Sequence, residues 1–247
     1  MVSYNFVKVT DLGLVGVSAG YYNSAAGELV FLSKAGTGVR TELGGVELGD
    51  VAAPMALGEL DGAVYDPATD TALLIDKACV VAEVDPVTLA ELSVVPLDAD
   101  MLAIESCSGI AQGPGGSLFI ASRATDEVVV ISRDLMDEVD RFSASGNGIE
   151  SIDGITAIPG SENFLLTSGA GSFAAILTQG GEVVSPATEI GGGIAPLVGG
   201  GELAAPDGLF SVCANGQVWL CRGLTTSCSK FAPEGGGDDV CDCLVTP

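Results

Sequence analysis

The sequence contains no histidine, and this absence excludes several kinds of active site. Without histidine the chain cannot form a Ser-His-Asp triad, a Cys-His pair, a histidine-ligated zinc site or a histidine-ligated haem. A serine or cysteine nucleophile would need a lysine as its base. The chain has only four lysines: Lys8, Lys34, Lys77 and Lys230. Most hydrolase mechanisms are therefore excluded.

Basic residues are also scarce. Nine lysines and arginines stand against 33 aspartates and glutamates, which gives a net charge of −24. This charge repels phosphate backbones and anionic lipid surfaces, so we expect no nucleic acid partner. It suits divalent cations, basic partners or solubility in high salt. The cytoplasm of a halophile is therefore one expected environment, and an acidic secreted surface is the other.

The sequence lacks a long apolar segment. No run approaches the roughly 18 residues of a membrane span, and the first residues lack a basic segment followed by an apolar core. We therefore expect no membrane insertion and no signal peptide within this chain. Aromatic residues make up only 5%, and the apolar fraction of 47% comes from Val, Leu, Ile and Ala beside 35 glycines. This composition is typical of strand cores joined by tight turns.

An internal repeat organises the chain. Residues 71–97 (TALLIDKACVVAEVDPVTLAELSVVPL) read as three successive strands, at 71–77, 79–84 and 91–97. Runs like the first of these begin at residues 28, 71, 117, 163 and 208, so the steps are 43, 46, 46 and 45. A third strand follows each run, at 39–42, 80–83, 128–131, 174–177 and 218–221, and a strand precedes the runs at 62–65, 109–111 and 154–157. Four strands in a period near 45 predict an all-β fold, a β-propeller.

The predicted propeller has about five four-stranded blades in a single domain of residues 1–247, with 232–247 as a cysteine-rich, acidic C-terminal tail. Residues 4–9 and 240–245 are additional strand-like segments. Either they close the ring or they form an incomplete sixth blade. We favour closure, with residues 4–9 pairing in the sheet of residues 227–245, because an untied ring exposes strand edges. An open β-sandwich with accidental spacing is the alternative fold.

Two segments also resemble a known family. The patterns LLIDKACVVAEVDPVTLAEL (73–92) and LFIASRATDEVVVISRDLMDEV (118–139) are similar to YVTN and NHL propeller repeats. In those repeats a strand ending in a small polar residue leads through a short loop to a strand ending in Asp. The similarity is weaker at 149–186 and marginal in the first and last units. The resemblance implies the fold rather than an activity.

Seven cysteines indicate an oxidising compartment. Zinc is not favoured, because Cys241-x-Cys243 lacks a second close pair. Cys79 follows the second strand of its blade and Cys107 precedes the innermost strand of the next, so both lie at the same end of the ring. The sequence therefore predicts a Cys79–Cys107 disulfide. The pairing of the other cysteines stays open: Cys213, Cys221, Cys228, Cys241 and Cys243.

Several acidic residues precede the predicted innermost strands, at one mouth of the central channel. Converging carboxylates there could supply the six to eight oxygens that Ca²⁺ prefers. Gluconolactonase-like propellers use such a metal, although their further motif residues are not recognisable here. The candidate ligands are Glu59, Asp61, Glu105, Glu150, Asp153 and Asp207.

Two functional hypotheses follow. The first is a non-catalytic extracellular or periplasmic propeller that acts as a protein-interaction or structural module, as a subunit of a surface assembly or through self-assembly. The second is a Ca²⁺-dependent propeller enzyme of the lactonase or lyase type. No catalytic residue and no cofactor other than Ca²⁺ is predicted.

Overall fold

A computed structural model describes residues 4–43, 45–98, 102–135, 137–158, 162–168, 173–189, 209–214, 217–222 and 227–233. Within these ranges the chain forms twenty β-strands, with 3₁₀ turns at Pro114–Gly116 and Ser145–Asn147. Tight hairpins join most successive strands, as the glycine-rich composition predicts.

The strands form five antiparallel four-stranded sheets. The first blade consists of β2 (Val17–Asn23), β3 (Glu28–Ser33), β4 (Thr37–Glu42) and β5 (Glu47–Ala52). The second consists of β6 (Leu60–Asp66), β7 (Thr71–Asp76), β8 (Val80–Val84) and β9 (Glu91–Pro96). The third consists of β10 (Cys107–Gln112), β11 (Leu118–Ser122), β12 (Glu127–Ile131) and β13 (Glu138–Ser143). The fourth consists of β14 (Ile152–Ala157), β15 (Asn163–Ser168), β16 (Phe173–Thr178) and β17 (Val183–Glu189). The last consists of β18 (Leu209–Ala214), β19 (Gln217–Arg222), β20 (Ser227–Pro233) and β1 (Tyr4–Asp11).

The innermost strands close a ring. In chain order β2 contacts β6, β6 contacts β10, β10 contacts β14, β14 contacts β18, and β18 returns to β2. This arrangement is a β-propeller, as the repeat period predicted. The sandwich alternative is wrong, because a sandwich has two facing sheets and no closed ring of inner strands.

The ring is closed by the N-terminal strand. β1 pairs antiparallel with β20, from Tyr4 opposite Pro233 to Asp11 opposite Ser227, and becomes the outermost strand of the last blade. The predicted closure is confirmed. Residues 240–245, the other strand-like segment, lie outside the described residues.

The sequence assignment of the last blade was wrong by one strand. The repeat aligns residues 208–214 with the second strands of the other blades and 218–221 with the third. In the structure β18 is the innermost strand and β19 the second. Because β1 supplies the fourth strand, the C-terminal region needs only three, and the similar apolar runs of β18 and β19 do not reveal which of them is inner.

The repeat did not locate the innermost strand of the first blade. In the structure it is β2, which runs from Val17 to Asn23. Tyr21 in this strand is buried between blades and donates a hydrogen bond to the Pro86 carbonyl at 2.8 Å. The turn starts at Asn23, whose side-chain oxygen accepts from the amides of Ala25 and Ala26.

The hydrophobic core lies between neighbouring blades. One cluster joins the second and third blades through residues such as Leu73, Ile75, Ile110 and Ile120. Another joins the third and fourth, where the rings of Phe119 and Phe164 have centroids 4.2 Å apart. Since each blade buries its faces only against its neighbours, the position of every inner strand is fixed by the whole ring.

Candidate functional site

One end of the ring carries the candidate site, and we call it the channel-mouth end. The connections between blades and the connections between second and third strands lie here, including residues 53–59, 77–79 and 123–126. The innermost strands therefore all begin at this end and run away from it.

Four of these strands begin with the same distortion. The register between the first and second strands shifts between Val17 and Ala19, between Leu60 and Gly62, between Cys107 and Gly109, and between Ile152 and Gly154. The extra residue in each bulge is polar and buried: Ser18, Asp61, Ser108 and Asp153. Bulges re-aim side chains, and here they place polar groups at one level of the ring.

Glycines bring the inner strands close together. A Cβ atom on Gly62 would lie 2.8 Å from the Cα of Gly109, and one on Gly109 would lie 3.3 Å from the Cα of Gly154. Together with Ser18 and Asp61 these glycines line a recess with about 210 Å³ of empty space, part of it open to solvent. The inner strands of the second, third and fourth blades are therefore packed closely together at this level.

Basic residues follow or end second strands at the same end of the ring. Lys34, Lys77 and Arg123 each follow the second strand of a blade, and their backbone amides donate to the carbonyls of Gly16, Glu59 and Ser106 at 3.0, 2.8 and 3.0 Å. Arg222 ends β19, the second strand of the last blade. Four of the nine basic residues thus follow or end second strands at the channel-mouth end. Sequence analysis missed this group, although three of the five repeated runs end in a basic residue: ELVFLSK, TALLIDK and SLFIASR.

Arg123 forms a buried ion pair across two blades. Its Nη2 atom lies 2.6 Å from Oδ1 of Asp153, and the side chains are 20% and 1% exposed. The Nε atom of Arg123 is buried and has no hydrogen-bond partner. A buried guanidinium with an unused donor retains the capacity to bind an acceptor.

Asp61 is the second buried acid of the site. Its side chain lines the recess, and its Oδ2 atom is buried without a hydrogen-bond partner. Burial raises the pKa of Asp61 from 3.8 to about 6, while the charges of Arg123, Lys34 and Lys77 oppose this rise and that of Glu59 adds to it. An acid in this pKa range exchanges protons near neutral pH.

The other predicted metal ligands do not join these two acids. Glu59 is exposed and lies 3.6 Å from Lys77 in an ion pair. Glu105 and Glu150 have exposed side chains. Their backbone carbonyls accept hydrogen bonds from the hydroxyls of Ser122 and Ser168. Asp207 lies outside the described residues.

The described residues do not fit a Ca²⁺ ion well. No group of three or more carboxylate or cysteine side chains among them could hold a metal. Lys34, Lys77 and Arg123 also place positive charge close to Asp61, which a bound cation would have to overcome. The Ca²⁺ site stays a prediction for experiment.

The predicted disulfide is present at the same end of the ring. Cys79 and Cys107 have a Cα–Cα distance of 5.2 Å and join the second blade to the third. Both residues are buried in the cluster between these blades. A disulfide is compatible with the predicted extracellular or periplasmic location. No helix among the described residues is long and apolar enough to span a membrane.

Comparisons with known proteins show the fold and no family. No family model matches the chain, and no curated protein matches it. Among solved structures, glutaminyl cyclase of Myxococcus xanthus is similar with a TM-score of 0.69 at 10% identity, over 94% of this chain and 96% of that one. A protein of unknown function from Bacteroides caccae has a TM-score of 0.51 at 20% identity, over 83% of this chain and 70% of that one. The resemblance to YVTN and NHL repeats stays a prediction.

Proposed function

We propose that this protein is an extracellular or periplasmic propeller that works as a protein-interaction module, with its binding surface at the channel-mouth end. The small recess is the observation that carries this proposal. Even with open solvent included, the 210 Å³ of this recess among the described residues falls below the roughly 300 to 1,000 Å³ of small-molecule pockets. A partner therefore binds across the loops of this end rather than inside the channel.

Exposed apolar side chains at this end support a protein partner. Met55, between β5 and β6, is 102% exposed, and Val15, just before β2, is 75% exposed. They lie on adjacent connections of the first blade. Exposed apolar side chains near charged groups such as Lys77 and Glu59 are typical of a protein-binding surface.

A capture experiment with matched variants tests this surface. The bait is the purified protein, and the source is the secreted or periplasmic fraction of the organism that makes it. Val15→Glu combined with Met55→Glu should lose a specific partner. Leu92→Glu changes an apolar position that is 58% exposed on an outermost strand, and it should retain the partner. If all three baits capture the same proteins, the binding surface is elsewhere.

A second candidate is an enzyme, and Asp61 is the observation that favours it. A buried carboxyl whose pKa is raised to about 6 suits general acid or base catalysis. The similar structure named a glutaminyl cyclase adds one assay, the cyclisation of an N-terminal glutaminyl peptide. The lactonase or lyase hypothesis adds the hydrolysis of lactones.

The two candidates give different results. The melting temperature is measured with Ca²⁺ and with EDTA, since a ligand that binds only the native state raises its stability. Turnover of a lactone or of the glutaminyl peptide that is lost in Asp61→Asn would establish the enzyme. Absence of turnover and of a Ca²⁺ response, together with partner binding lost only in the double variant, would establish the interaction module.

A further inference from the structure

Two cysteines of the last blade occupy paired positions. Cys221 in β19 lies directly opposite Cys228 in the antiparallel strand β20. The third cysteine of this sheet, Cys213 in β18, lies opposite Val218 instead. The register therefore singles out one pair among the five cysteines beyond residue 207.

Direct opposition satisfies the main geometric condition for a disulfide. Opposed residues in an antiparallel pair have Cα atoms about 4.5 to 5.5 Å apart and belong to the same face of the sheet. A disulfide needs about 4.4 to 6.8 Å. The Cys79–Cys107 bond of this protein spans 5.2 Å, which lies in both ranges.

We propose that Cys221 and Cys228 form a second disulfide within the last blade. The bond forms between the two sulfurs as both thiols lose their protons. The two electrons pass to the disulfide of a thiol oxidoreductase of the oxidising compartment, which leaves as a dithiol.

The position of this bond matters for closure of the ring. Cys228 is opposite Cys221 on one side and opposite Thr10 of β1 on the other. β20 is thus the strand onto which the N-terminal strand closes. A covalent link between β19 and β20 fixes that strand to the blade, so its reduction weakens closure.

Peptide mapping tests the proposal directly. The unreduced, denatured protein is alkylated and then digested with trypsin and chymotrypsin. Cleavage after Trp219 or Leu220 separates Cys221 from Cys213. Cleavage after Arg222 and Lys230 isolates the segment GLTTSCSK that contains Cys228, which cleavage after Leu224 shortens to TTSCSK. The expected product links the short Cys221 peptide to this segment. An alkylated Cys228, or a Cys228 linked to any other cysteine, would overturn the proposal.

Serine variants provide the control. Cys228→Ser should release one thiol, that of Cys221, and lower the apparent melting temperature by roughly 5 °C or more. Cys213→Ser should leave the Cys221 to Cys228 peptide intact. If Cys228→Ser releases no thiol, Cys221 is not bonded to Cys228 and the proposal fails.

Discussion

The guanidinium of Arg123, in the third blade, lies 2.6 Å from the carboxylate of Asp153, in the fourth. The Asp153 side chain is almost fully buried, so this pair links two blades in a place that water scarcely reaches. Removing one partner of such a pair leaves a buried charge without its counter-charge, and that is far more costly than losing an exposed pair.

Arg123→Met should therefore lower the free energy of unfolding by about 3 kcal/mol. Lys77→Met is the matched control, since Lys77 occupies the equivalent position of the second blade but pairs with an exposed Glu59. The control should change stability by less than about 0.5 kcal/mol. Urea denaturation of both variants measures the difference. If both variants lose the same free energy of unfolding, the Arg123–Asp153 pair contributes no more to stability than the exposed pair does.

The stability of the protein should depend on Asp61 in a defined pH range. The pKa of Asp61 is about 6 in the folded protein against 3.8 ordinarily, so between these values the native state binds more protons than the unfolded state. Stability contributed by the protonated form is present below pH 4 and is lost as the pH rises to 6. The loss is about 3 kcal/mol for two pKa units.

Asp61→Asn removes this dependence. Relative to the natural protein, the variant should gain about 2 to 3 kcal/mol between pH 4 and pH 7.5. Glu105→Gln, which removes an exposed carboxylate at the same end, should change stability by no more than about 0.5 kcal/mol. Denaturation curves at pH 4 and at pH 7.5 measure these differences in stability. A constant difference between Asp61→Asn and the natural protein would contradict the raised pKa.

Gly62 should be intolerant of any side chain. A Cβ there would meet the Gly109 Cα and the Ile110 amide nitrogen, both at 2.8 Å, and backbone atoms of a neighbouring blade cannot move without disturbing the ring. Gly62→Ala should destabilise the protein by about 3 kcal/mol or more. Gly180→Ala, where nothing lies within 4 Å, should be nearly neutral. Thermal unfolding of both variants tests the contrast, and a neutral Gly62→Ala would show that the inner strands are packed less tightly.

The sequence was sufficient to predict the ring, because each blade repeats one pattern of apolar runs and turns. Closure by residues 4–9 and the Cys79–Cys107 pair also followed from topology. The site was harder to predict. Asp61 and Glu59 are two residues apart and look alike in sequence, but a bulge buries only Asp61. The nearness of Arg123 to Asp153 depends on how two blades pack, which no local pattern records.

The Cys79–Cys107 disulfide should stabilise the propeller measurably. It closes a loop with a sequence separation of 28, and constraint of the unfolded chain by such a loop contributes about 3 to 4 kcal/mol. Cys79→Ala combined with Cys107→Ala should show this loss in urea denaturation. The variant should also be insensitive to reductant at this site, whereas reduction of the natural protein should cost at least as much stability, because it breaks this bond too. If the natural protein and the double variant have the same stability, the bond does not constrain the unfolded chain.

Removal of the N-terminal strand should open the ring. Without residues 1–11 the last blade keeps three strands, and β20 presents the hydrogen-bonding edge that β1 covers from Tyr4 to Asp11. An uncovered edge pairs with other chains, so the truncated protein should melt at a lower temperature and form dimers or larger species in sedimentation experiments. A synthetic peptide of residues 1–11 should restore the monomer, because it supplies the missing strand. Deletion of residues 1–3, which precede β1, is the control and should change neither property. A truncated protein that remains monomeric with an unchanged melting temperature would show that closure by β1 is dispensable.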